Sequence, residues 1–193
     1  MTCGRRSPKE RGTNLSLKAL PLLGLFIITS SAPIEAQTTG KNPVKEQSMF
    51  GAEDETVDRP VNVPGGALEI LRKDEWVLQY LKAEGKSPDQ LTSEPFLASE
   101  IHLDGPKEID LIVTGTGRLR GNVATFWVFR KLPEGCRLVL KATAQSLVVR
   151  RDRWKGFRNI SAGSPIAGLS VEVFYRFDGK QYRYYRKKSE PIH

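Results

Sequence analysis

From residue 99 to residue 186 the chain is made of short segments rich in β-branched and aromatic residues, most of them separated by tight turns. Strands joined so closely have little choice but to run antiparallel to their neighbours. The segments expected as strands are 99–103, 108–114, 124–132, 136–142, 146–150, 169–177 and 180–186. The clearest local cue is Asp178-Gly179, a dipeptide suited to the positive backbone angles of a two-residue type I′ turn. Such a turn would pair Phe177 with Lys180, Tyr175 with Tyr182 and Val173 with Tyr184, and would leave one face of the hairpin aromatic and β-branched.

Ahead of the strands, 66–85 carries Ile70, Leu71, Val77, Leu78 and Leu81 on one helical face and Glu69, Arg72, Lys73, Gln79 and Lys82 on the other, with Gly85 placed to end a helix. An amphipathic helix is expected there. Residues 37–65 are polar, dotted with Gly and Pro and without hydrophobic period, and read as a disordered linker. Residues 1–36 read as an export signal: Arg5, Arg6, Lys9 and Arg11, then the apolar LPLLGLFII, then small and polar residues with cleavage after Ala36. The apolar stretch falls short of the roughly 20 residues a membrane-spanning helix needs. A periplasmic or secreted mature chain without a transmembrane anchor is therefore expected, with Cys136 its sole cysteine and no internal disulfide. The expected organisation is signal 1–36, linker 37–65, one domain 66–188 and a tail 189–193. Its fold class is α+β, an N-terminal helix on an antiparallel sheet of about six or seven strands.

Charge is divided unevenly along the chain. Residues 37–116 hold eight Lys or Arg against fifteen Asp or Glu, whereas 117–193 hold seventeen against five. The modest net positive charge is not a nucleic-acid signature. Two readings remain: the halves neutralise each other when folded, or a basic surface is left to attract an anionic cell-envelope polymer, lipid head groups or an acidic protein.

The strand region also echoes itself. EIDLIVTG is followed by FWVFRKLPEGCRLVL, and FRNISAGS by VEVFYRFDGKQYRYY, in the same order of strand, loop, strand, tight turn and returning strand. With LDGPKEIDLIVTGTG, TFWVFRK, WKGFRNIS and VFYRFDGKQYR, the region from about 99 to 186 resembles small exported bacterial proteins with degenerate FG-GAP or VCBS-like repeats. That resemblance implies two blade-like sheet units and no defined catalytic activity.

EIHLDGPKEIDLIVTG has acids and a turn glycine spaced as in a calcium loop of that kind. The family pattern maps onto Glu100, His102, Asp104 and Glu108, with Gly105 at the turn. His102 is a poor ligand for a hard cation and Pro106 stiffens the turn, so a plain Asp-Gly turn is the stronger reading and no cofactor is expected, with Ca²⁺ the weaker alternative. Glu100, His102 and Asp104 also face one side of an extended strand, a donor set that transition metals use. Cys136 would need a base such as His102 to act as a nucleophile, and a half-buried structural thiol is the simpler expectation. Asn159-Ile160-Ser161 matches a glycosylation acceptor.

The best candidate for a binding surface is VVRRDRWKGFR: Arg150, Arg151, Arg153, Lys155 and Arg158 interleaved with Trp154 and Phe157, with RYYRKK as an extension if the fold brings it near. The function expected is a non-enzymatic exported binding module for an anionic envelope component or an acidic protein. Its alternatives are a metal-dependent hydrolase using Glu100, His102, Asp104 and Asp110, and an inhibitor of an envelope-targeting enzyme.

Overall fold

The computed structural model describes residues 46–106 and 108–192; the expected signal, the first part of the expected linker and His193 lie outside the described residues. In chain order the elements are β1 (Met49–Gly51), α1 (Gly65–Leu71), α2 (Glu75–Ala83), β2 (Phe96–Ile101), β3 (Asp110–Gly115), β4 (Ala124–Leu132), β5 (Gly135–Ala144), β6 (Ser146–Trp154), β7 (Phe157–Ile166), β8 (Leu169–Phe177) and β9 (Tyr182–Pro191). They form two antiparallel sheets, a five-stranded one in the order β1-β6-β7-β8-β9 and a four-stranded one in the order β2-β3-β4-β5.

The single-sheet α+β expectation is thus corrected to a mostly β fold with two sheets and two short helices. Gln145 is where the two arrangements part, since it alone separates β5 from β6. A hairpin needs about two residues or more to reverse direction. The chain instead bends and continues into the second sheet, and Gln145 N bonds Gly163 O at 2.9 Å on the way. The two sequence echoes end up as β3-β4-β5 in one sheet and β7-β8-β9 in the other, and not as blades around an axis. Inward residues of both sheets make one core, including Phe50, Ile112, Phe126, Val128, Leu147, Ile160 and Phe177.

The four-stranded sheet is covered on its second face as well. Trp127 and Phe129 point away from the inter-sheet core into a second cluster with Ala67, Leu71, Val77 and Leu81 of the helices. This explains why β3 and β4 read as continuous apolar runs with little alternation, whereas β6 alternates buried Leu147 and Val149 with less buried Val148 and Arg150. The expected single helix is two. Asp74 adopts an extended conformation and its carboxylate accepts from Trp76 N at 3.0 Å and Val77 N at 3.4 Å, which caps α2 and ends the run begun by α1. Gly85 stands at φ +66 just beyond α2, the helix-ending role its position suggested.

From Glu46 onward the segment expected as linker lies on the domain. Phe50 of β1 is buried against the inter-sheet core, and Val61 N bonds Ala98 O at 3.0 Å beside β2. Isolated apolar residues such as Phe50 carry no period, so their docking is set by the surface they meet.

The closing hairpin also has a different register. Phe177 pairs with Tyr182 and Tyr175 with Tyr184, and a bulge then sets Phe174 opposite Arg186. The Asp178 carboxylate accepts from Lys180 N at 2.7 Å and Gln181 N at 2.9 Å, a local turn that spans four residues and brings Phe177 and Tyr182 into the core together. The two-residue turns with both central residues at positive φ are Lys155-Gly156 and Ala167-Gly168. They flank β7, a strand whose Ser161, Gly163, Ser164 and Pro165 hid it from propensity.

Candidate functional site

The loop between β2 and β3 closes one end of the inter-sheet core, and Asp104 within it and Asp110 at its end turn inward onto one of the chain's own cations. Arg130 continues the inward series Phe126, Val128, Arg130 along β4, so strand geometry delivers a guanidinium where the core ends. Its Nη2 lies 2.5 Å from Asp104 Oδ2 and its Nε 3.6 Å from Asp110 Oδ1. The guanidinium stands over Phe157 at 4.8 Å and Phe177 at 5.7 Å, two rings stacked 4.1 Å apart. Asp110 Oδ2 accepts from Leu103 N at 3.2 Å, and Arg158 N bonds Leu103 O at 2.8 Å, so the loop is tied to both sheets.

The residues weighed as metal ligands therefore have separate occupations. Glu100 pairs with Lys131 at 3.2 Å, Asp104 with Arg130, and His102 with Glu46, whose Oε1 takes both its backbone N–H and Nδ1. Among the described residues no group of three His, Cys, Asp or Glu side chains is gathered as a metal site would be. Cys136 packs partly buried on the helix side of the four-stranded sheet, where burial raises its pKa. Asn159 is buried in β7 with its amide on Asp152, so the glycosylation match is not presented to solvent.

Asp110 is fully buried, and burial, only partly offset by Arg130, pushes its pKa up to about 6. The folded chain thus holds this proton more tightly than the unfolded chain, where the value is near 3.8. The cost of the ionised carboxyl is present above about pH 6 and falls away as pH drops through 6 towards 4. Denaturant titrations should show a component of about 3 kcal/mol that increases stability over that window and is missing from Asp110→Asn. A variant with the same pH profile as the parent would refute the assignment.

The seven residues of the basic-aromatic stretch are distributed over four environments. Phe157 is part of the core end beneath Arg130. Arg151, Arg153 and Arg158 line a cleft of about 350 Å³ against Glu46, His102 and the Gly105-Pro106 turn. Arg150 and Trp154 belong to the outer face of the five-stranded sheet, and Lys155 occupies the exposed β6–β7 turn at φ +50. On the outer face Arg176 lies over Trp154 at 4.7 Å and over Tyr185 at 3.9 Å, while Arg150 and Arg186 lie over Phe174 at 5.2 and 4.2 Å. The RYYRKK extension does reach this face: Tyr185 meets Arg176, and the bulge after Tyr184 sets Arg186 opposite Phe174.

Pairing between the acidic and basic halves is extensive. Arg158 with Glu46, Arg130 with Asp104, Lys131 with Glu100, Lys141 with Asp74 and Arg118 with Glu84 all join one half to the other. The pair Arg118 and Glu84, 2.9 Å apart, also lines a second cleft of about 360 Å³ beside α2, where it cancels its own charge. Arg130, Glu46 and Arg176 were not singled out from sequence, and Tyr185 only as part of RYYRKK. Only Arg130 left a signal, a charge at an inward position of an apolar strand. The chain matches no family model, no curated protein and no solved structure.

Proposed function

We propose that this protein is an exported, non-enzymatic binding module whose outer sheet face docks on an anionic polymer of the cell envelope. The observation that carries the reading is Arg176, held between Trp154 and Tyr185 with no carboxylate in ion-pair range among the described residues. Stacking fixes a guanidinium in place without neutralising it, so its donors stay available to a phosphate or carboxylate. Arg186, exposed over Phe174, adds a second such cation in the adjoining part of the face. The long β9, at the edge of its sheet, also brings Arg183 and Lys188 to this face, each partnered by an acid, Asp178 at 3.2 Å and Glu190 at 2.7 Å. A flat face of this kind suits a repeating polyanion better than a compact solute, because many weak contacts act together.

The test is retention of the purified chain on anionic wall polymer at low and moderate salt. Arg176→Gln with Arg186→Gln should lower retention at least about tenfold, each surface cation contributing on the order of 1 kcal/mol. The slope of binding against salt should also shrink. Retention equal to that of the parent chain would overturn the proposal. Retention lost on wall polymer but kept on an acidic protein would redirect it to that partner.

A further inference from the structure

We infer that the cleft between the β2–β3 loop and the β6–β7 end is a separate site for a small phosphate monoester. The inference is independent of the outer face. Charge balance within the cleft is its starting point. Arg151, Arg153 and Arg158 bring three guanidinium groups to it, against the single carboxylate of Glu46. That carboxylate is already used twice over: Oε2 accepts from Arg158 Nη1 at 3.0 Å, and Oε1 accepts from the backbone N–H of His102 and lies 3.3 Å from its Nδ1. Glu46 therefore answers Arg158 and leaves Arg151 and Arg153 without an acid among the described residues.

The two remaining cations differ in a way that suits anion capture. Arg153 is pre-positioned, because Nη1 donates to Leu103 O at 3.2 Å and to Gly156 O at 2.7 Å. Carbonyls orient a guanidinium and leave its full charge in place, so Nη2 and Nε remain for a ligand. Arg151 is exposed with no hydrogen bond or ion pair of its own among the described residues, and it can swing onto a bound group. Arg158 stiffens the wall behind them, since Nε and Nη2 bond Arg150 O and Val149 O, both at 2.8 Å. Opposite, Gly105 has no described atom within 4 Å of where a side chain would begin.

Two uncompensated charges match one phosphate monoester, which is close to doubly charged at pH 7. The volume, about 350 Å³, lies at the small end of ligand sites and suits a compact solute. Among the described residues the one ring lining the cleft is His102, tied through Nδ1 to Glu46, and no Phe, Tyr or Trp joins it to sandwich a nucleobase. The ligand class is thus a phosphorylated small alcohol or sugar.

Titration of the full chain with glycerol phosphate, and separately with inorganic phosphate, tests this by calorimetry and by phosphorus NMR line broadening at constant ionic strength. Saturable binding of one equivalent of glycerol phosphate is expected. Both Arg151→Gln and Arg153→Gln should weaken it about tenfold or more, the loss of one charge-assisted contact each. Arg151→Gln removes no hydrogen bond or ion pair among the described residues, and an unchanged urea midpoint will separate its loss of binding from unfolding. Arg176→Gln, on the outer face, should bind as the parent does, which separates this site from the polymer surface. The proposal is overturned by absence of saturable binding, by binding that an equal ionic strength of chloride abolishes, or by unchanged affinity in Arg151→Gln.

Discussion

Arg130→Met should lower the free energy of unfolding by about 3 to 5 kcal/mol at pH 7, the usual consequence of removing one partner from a buried ion pair. The reason is what would be left behind. Asp110 is fully buried, and Asp104 is largely so, with one oxygen of each already lacking a hydrogen-bond partner. Without the guanidinium neither acid has a neutralising charge, and Phe157 and Phe177 lose the cation stacked on them. Urea titrations monitored by tryptophan fluorescence measure the loss. The triple variant Arg130→Met, Asp104→Asn, Asp110→Asn should regain most of it, because the stranded charges go together. Acidification should also soften the single variant's defect, and should do so from a higher pH than in the parent, because Arg130 is the charge that holds the Asp110 pKa down against burial. A single variant within about 1 kcal/mol of the parent at pH 7 would show that these acids do not depend on Arg130.

Asp74→Ala should cost about 3 kcal/mol, and through four contacts at once. The carboxylate caps α2 through Trp76 N and Val77 N, accepts from the indole of buried Trp127 at 3.0 Å and pairs with Lys141 at 2.8 Å. Burial alone would raise its pKa, yet the bonds from Lys141 and Trp127 outweigh that and hold it below the ordinary carboxylate range. Loss of an N-cap is worth about 1 kcal/mol and an orphaned buried donor about 1 to 3. Asp74→Asn should recover only the capping part of the loss, since its amide oxygen can still accept from Trp76 N and Val77 N, while the NH2 in place of Oδ2 cannot accept from the Trp127 indole or pair with Lys141. If both variants unfold at the parent's urea midpoint, Asp74 is not the clasp between the helix layer and the sheet.

These two residues also show where sequence reading stopped. Asp74 sits inside an apolar period that runs from Ile70 to Leu81, and periodicity alone merged α1 and α2 into one helix. Its capping role depends on an indole and an ammonium brought from β4 and β5. The acids around Gly105 looked like ligands waiting for a cation, and the cation that meets Asp104 and Asp110 is Arg130. Spacing within one loop carries no information about a guanidinium from another strand. The basic stretch from Arg150 to Arg158 was visible as a stretch, but its division among core end, cleft and outer face follows from the irregular β6–β7 register between Val149 and Arg153.

The sequence by itself determined most of the strands, their antiparallel sense, the helical segment ahead of them and the opposition of acidic and basic halves. Those are properties of short windows and of composition, where side-chain period and turn residues act locally. Tertiary structure decided the second sheet, the register of the last hairpin and the company each charge keeps. The physical reason is that those outcomes rest on energies between distant segments: the apolar surface Phe50 covers, the acids Arg130 neutralises and the rings that hold Arg176 in place. EIHLDGPKEIDLIVTG was legible as a turn before a strand, and only the fold turned its acids into a clamp on the chain's own arginine.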